Sequence, residues 1–194
     1  EVPATRWHVQ AFLEGPSMTA AAGRKRYGGF ASGIELFDNA AFAISTAEAA
    51  VMDPQQRMLL QREYAALHSL QYRRASLDTA VVGVFVGILA SDFMRVVEAS
   101  PIADSVYATT AAVSSVASGR LSYVIGLQGP AAAYDTACSA TLTASHAGLC
   151  ATELGECATS LVAGVSLMFV PFVHQLLAVS GMTSPHGRCH TFDQ

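Results

Sequence analysis

Residues 81 to 89 read VVGVFVGIL, nine positions without a charged or polar side chain. A strand with one wet face alternates apolar and polar residues, but this run is apolar on both parities and suits a strand covered on both faces. A second mostly apolar run, LVAGVSLMFV, with Ser166 its one polar residue, occupies 161 to 170. Between them, Thr110 to Val124 carries the small and apolar residues of a packed helix, and LQGP at 127 to 130 is a turn. AAAYDTA then predicts a short strand, and Ser139 to Leu154, rich in alanine and leucine, predicts another helix. Strand, helix, strand, helix, strand is the α/β order, and it implies a mainly parallel sheet with helices on both sides.

Upstream, a helix starts at Asp53, with the aspartate as N-cap, Pro54 at the first helical position and Gln56 placed to return a capping-box bond. Leu60, Tyr64 and Leu67 follow at helical spacing and predict its buried face. Residues 14 to 33, with five glycines and the basic cluster GRKRY, read as a surface loop.

Composition fits a core-rich globular chain: of 194 residues, 52% are hydrophobic and only 13% charged, so a large share must be covered. A net charge of −4 offers no basic face for nucleic acid. The longest apolar stretch is broken by Pro171, short of a membrane span. EVPATRW has no signal-peptide pattern, and the four cysteines and six histidines show neither CxxC pairs nor zinc-ligand spacing. The expectation is reduced thiols, no metal site, and an intracellular chain, cytoplasmic or plastid.

DTACSA, 135 to 140, places Cys138 where a strand hands over to a helix. Unpaired N–H groups and the helix dipole at such a junction favour a thiolate, and the same N–H groups can stabilise the oxyanion formed when a thioester is attacked. Ala137, Ser139 and Ala140 leave room for a substrate. The competing reading is a small buried hydrophobe, which is what Cys150 and Cys157 look like. Cys189 sits in a polar turn beside His186, Arg188 and His190. His146 lies eight residues along the same helix, roughly 12 Å of rise away, and does not serve as a partner to Cys138. His174 reads as a core or pocket-wall histidine, and His8, His68, His186 and His190 as exposed.

GRLSYVIGLQGP followed by YDTACSATL resembles the nucleophile region of the β-ketoacyl synthase (ketosynthase) domains of modular polyketide synthases and animal-type fatty acid synthases. VPATRW, ELFDNAAFAISTAEAAVMDPQQRMLL, VGVFVG, LVAGVSLM and GMTSPHGRCHTFD agree in the same order, so the resemblance spans nearly the whole chain. YDTACSATL and GRCHTFD are similar to dinoflagellate members.

The resemblance implies a thiolase-like αβαβα fold. Residues 1–194 would be a partial domain, the N-terminal half, lacking the first strand and the histidine-bearing C-terminal half. It implies Cys138 as nucleophile, with its backbone N–H as an oxyanion donor, in acyl transfer followed by decarboxylative Claisen condensation with a malonyl-type extender. The supporting histidines, lysine and glutamate belong to later motifs. No bound cofactor is implied; substrates arrive on the phosphopantetheine arm of an acyl carrier protein. Other synthase domains are further partners, and a homodimer would form by pairing Ala131, Ala132, Ala133 and Tyr134 across a two-fold axis. Met168, Phe172 and His174 are candidates for the wall of the acyl channel.

Three departures from the family pattern stand out: Ala140 for a serine, Thr110-Ala111-Ala112 for Thr-Gly-Asn, and Thr46 for a proline. Ala140, Ala111 and Ala112 motivate an alternative, a non-condensing scaffold that binds an acyl carrier protein or dimerises without forming carbon–carbon bonds. A blander third reading is a cysteine-dependent hydrolase with His146 or His174 as its partner.

Overall fold

The computed structural model describes residues 2, 23–70 and 81–192. They divide into two compact units, one running from 33 to 167 and the other gathering the described residues on either side of it. The larger unit holds α1 (Thr46–Val51), α2 (Pro54–Ser69), β1 (Val82–Ile88), α3 (Phe93–Glu98), α4 (Ser114–Ile125), β2 (Ala131–Tyr134), α5 (Ala140–Glu153) and β3 (Thr159–Val165). Helix α6 (Pro171–Val179) belongs to the smaller one.

Strand β1 is buried along its whole length and forms the middle of a parallel sheet in the order β2–β1–β3. Val84 to Gly87 pair with Ala131 to Tyr134, and Val82 to Ile88 with Thr159 to Val165. Its two apolar parities serve two layers. Val82, Val84, Val86 and Ile88 pack with Leu59, Leu60 and Leu67 of α2 and with Ala117, Leu121 and Ile125 of α4. Phe85 packs with Ala144 and Ala151 of α5 and with Cys157. The parallel sheet with helices on both faces is therefore observed.

Several boundaries differ from the sequence expectation. The second apolar run is a strand only from Thr159 to Val165, because Val165 pairs with Ile88 and β1 ends there. Most of its residues are only partly buried, as fits a strand paired on one side in the described sheet. Val170 is extended ahead of Pro171, which opens α6. The helix expected from Thr110 starts at Ser114, since Val106–Thr110 forms a 3-10 turn and Val113 is extended. It ends at Gly126, whose φ of 88° makes a left-handed cap.

At the start of α2 the Asp53 carboxylate accepts the Gln55 N–H at 2.7 Å. Gln56 does not close a capping box; its amide donates to the carbonyls of Thr110 (3.3 Å) and Val113 (3.4 Å). Leu60 and Leu67 are buried as expected, with Leu59 beside them, but Tyr64 is exposed and meets the Phe42 ring edge-on at 5.9 Å. Helices α1 and α3, six residues each, are too short to show periodicity in sequence.

In the smaller unit, Gly23–Lys25 forms a 3-10 turn, and Arg24 donates to the carbonyls of Gly181 (3.3 Å) and Thr183 (2.6 Å). Lys25 is buried, unlike the expected surface loop, of which residues 14–22 lie outside the described residues. His8 also lies outside them. Among the described residues, no helix is long and apolar enough to cross a membrane.

Candidate active site

All three strands run the same way, so their C-terminal ends share one edge of the sheet. From β2 the chain passes through Asp135 and Thr136 into a 3-10 turn, Ala137–Ser139, and directly into α5. Cys138 is the middle residue of that turn and is exposed. Ala137 before it has φ of 53°, a left-handed conformation that L-residues other than glycine adopt at a cost. Five residues, Asp135 to Ser139, thus carry the chain from strand to helix and leave the thiol exposed.

Two glycines let α5 begin so close to the strands. A Cβ on Gly87 of β1 would run into the backbone of Ala140 and Thr141, and one on Gly164 of β3 into the Thr141 side chain. Ala140 itself is 4% exposed, and alanine meets that burial without a hydroxyl to satisfy. The departure from serine is accommodated by this packing.

Hydrogen bonds fix the turn on both sides. The Asp135 carboxylate accepts the Ala137 N–H (3.3 Å) through one oxygen and the Ala90 N–H (3.2 Å) through the other. Ser139 Oγ donates to the Thr136 carbonyl at 2.7 Å, and Thr136 Oγ1 lies 3.0 Å from Thr143 Oγ1. No acceptor among the described residues takes the Cys138 N–H. That donor points out of the local hydrogen-bond pattern beside an exposed thiol, an arrangement that can bind a carbonyl oxygen carrying developing charge.

Behind the turn lies a buried polar cluster. Asp53, 1% exposed, lies beside Ser91 and donates its own N–H to the Ala111 carbonyl at 2.9 Å. Burial pushes the Asp53 carboxyl above its ordinary range, while the Ser91 and Gln55 hydrogen bonds and the Arg57 charge pull the other way. Gln55 Oε1 accepts the Leu167 N–H at 2.9 Å. Gln56 Oε1 accepts from Arg120 Nε at 2.9 Å, and Arg120 also pairs with Glu48. DPQQ therefore ties α1, α2, the 110–113 segment, α4 and the exit of β3 together. Sequence spacing assigned these residues to a helix start and missed their long-range partners. The one signal was the density of amides and charge at the head of an otherwise apolar segment. Ala111, 1% exposed, sits in this cluster, so its departure from the family pattern is also accommodated.

The other site candidates separate. Ala131 to Tyr134 form β2, which in the order β2–β1–β3 has one outer edge without a partner among the described residues. Met168, Phe172 and His174 belong to the smaller unit. Met168 and Phe172 are exposed, and His174 is buried with Nε2 3.3 Å from the Lys25 carbonyl. His68 and His146, the histidines of the larger unit, make no hydrogen bond to Cys138; His146 Nε2 instead lies 3.7 Å from Cys150 Sγ. Cys157 is buried, as expected of a packing cysteine, whereas Cys150 is half-buried and Cys189 exposed.

Comparison with known proteins identifies the fold and the family. A phenolphthiocerol/phthiocerol polyketide synthase chain of Mycobacterium tuberculosis is 38% identical over 192 residues, 99% of this chain and 12% of that protein. Polyketide synthase ThaG of Burkholderia thailandensis is 36% identical over 193 residues, all of this chain and 3% of that protein. Among solved structures, the Streptomyces albus JA3453 oxazolomycin ketosynthase domain OzmH KS7 matches with a TM-score of 0.84 and 30% identity, over 99% of this chain and 34% of that one. The module 6 ketosynthase of the Bacillus subtilis 168 bacillaene synthase matches at 0.82 and 31%, over 97% of this chain and 30% of that one. The chain thus spans about a third of those ketosynthases, and it shares their thiolase-like fold in the N-terminal half. The beta-ketoacyl synthase N-terminal domain model matches residues 1–194, and the chain belongs to that family.

Proposed function

We propose that these residues carry the acyl-accepting thiol of a condensing enzyme within a polyketide synthase. The observation that carries this reading is the placement of Cys138: exposed at a strand-to-helix turn, beside its own uncommitted N–H. The Cys138 thiolate attacks the carbonyl carbon of an acyl group delivered as a thioester on the phosphopantetheine arm of an acyl carrier protein. The carbon–sulfur bond to the arm breaks, and the departing thiolate takes up a proton. A malonyl-type extender then loses carbon dioxide, and its carbanion attacks the Cys138 thioester, forming the carbon–carbon bond and releasing the thiolate. The Cys138 N–H supplies one donor to the oxyanion. The histidines, lysine and glutamate that assist decarboxylation come from the rest of the enzyme, and no histidine of this chain is assigned that work.

The larger enzyme also supplies the acyl carrier protein and further synthase domains as partners. The outer edge of β2, short and lined by small side chains, pairs with a second copy in an isologous dimer. Met168, Phe172 and His174 line the acyl channel.

The test is intact-mass analysis of the full-length synthase after incubation with an acyl thioester. The expected result is one acyl adduct, lost in Cys138→Ala. An adduct that persists in that variant overturns the role of Cys138.

A further inference from the structure

The left-handed conformation of Ala137 is the feature of the turn least explained by its own sequence. A non-glycine residue persists there only where its surroundings over-determine it. Asp135 provides the determinant nearest in sequence, since its carboxylate accepts the Ala137 N–H through one oxygen. Through its other oxygen the same carboxylate holds Ala90, in the loop that follows β1. Ionised acceptors make the stronger hydrogen bonds, and a two-oxygen acceptor fixes distance and direction at once.

That loop meets the head of α2 on its far side. Ser91, next to Ala90, lies beside the Asp53 carboxylate and accepts the Phe93 N–H at 3.1 Å. The head of α2 and the turn bearing Cys138 thus flank two consecutive loop residues. MDPQQR and DTACS, about eighty residues apart in sequence, meet across a single turn of chain.

We propose that Asp135 is a positioning residue for Cys138: by holding the Ala137 and Ala90 N–H groups it maintains the left-handed turn and sets the thiol in register with the loop beside Asp53. Asp135 touches neither thiol nor acyl group in this scheme. It acts through the backbone of Ala137, and the inference rests on the reading of Cys138 as the acyl acceptor.

The experiment uses the full-length synthase and two readouts: the rate of acylation by octanoyl-N-acetylcysteamine, and the rate of Cys138 alkylation by iodoacetamide, located by peptide mapping. Asp135→Ala is expected to slow acylation about tenfold to a hundredfold at saturating thioester, with KM little changed, and to slow alkylation in parallel. Adding Ala137→Gly to Asp135→Ala restores most of that loss, because glycine takes the left-handed conformation without the carboxylate. A role confined to global folding would not be rescued by a glycine at one turn position.

Rates for Asp135→Ala within about twofold of wild type overturn the proposal, and so does a loss that Ala137→Gly fails to restore. If Asp135→Ala does not fold, Asp135→Asn, with one acceptor oxygen for two N–H groups, takes its place: slowed acylation restored by Ala137→Gly supports the proposal, and an unchanged or unrestored rate overturns it. A wild-type enzyme that takes no acyl group, yet whose Cys138 alkylation still follows this pattern, refutes the acyl-acceptor reading and leaves the positioning role standing.

Discussion

At the head of α2 and along it, Asp53, Gln56 and Glu63 are buried or half-buried polar side chains. Asp53 and Gln56 have their partners within the fold, but Glu63, half-buried on the same helix, has its carboxyl pushed up to about 7 by burial. A carboxyl raised from 4.5 to about 7 binds its proton more tightly in the folded state. Its contribution to stability is complete below the unfolded value and is lost as the pH climbs through about 7. Glu63→Gln, neutral at every pH, therefore raises the melting temperature of the ketosynthase domain more at about pH 8 than at about pH 5. Equal shifts at both would show that burial does not govern this group. Asp53 illustrates what single letters reveal: its N-cap role was readable from DPQQ, because a cap is a local arrangement. Its N–H bond to the Ala111 carbonyl and the reach of Gln56 to Thr110 were not, because those partners become neighbours only once the chain folds.

Helix α5 depends on the strands beneath it at the level of backbone against backbone. Gly87 faces the main chain of Ala140 and Thr141, so a methyl group there displaces the helix start and not merely a flexible side chain. Gly87→Ala is expected to cost about 1–3 kcal/mol of domain stability and to slow Cys138 alkylation, measured by thermal unfolding and peptide mapping. Unchanged rate and melting temperature would mean that the helix start yields freely. Strand β1 was legible because burial on both faces removes every polar residue from its pattern. Strand β3 was legible in position but overextended by five residues, since apolar letters continue past the point where β1 offers partners. The short helices α1 and α3 left no periodic trace, and the start of α4 was misplaced because Thr110 and Val113 are held by Gln56 in a non-helical approach. Pattern records how an element meets the core; it records poorly where another element stops it.

For the molecule as a whole, the sheet edge is the feature with the widest reach. If β2 pairs with a second copy through its outer edge, Ala133→Pro in the full-length synthase removes an outward-facing ladder donor and shifts the protein toward monomer in sedimentation velocity. A dimer that survives this substitution, with the domain still folded, places the interface elsewhere. The position of Cys138 at the end of that strand was legible from DTACSA and its neighbours, whereas the uncommitted N–H and the Asp135 bridge depend on how the folded chain brings Ala90 to the turn. The bridge also bears on how such synthases can be rearranged. Because Asp135 joins the loop after β1 to the cysteine turn, the stretch from α2 through α5 holds partners far apart in sequence that bond in this fold. A recombination junction inside it would join a loop from one parent to a turn shaped by another, leaving the thiol out of true in an otherwise well-folded hybrid.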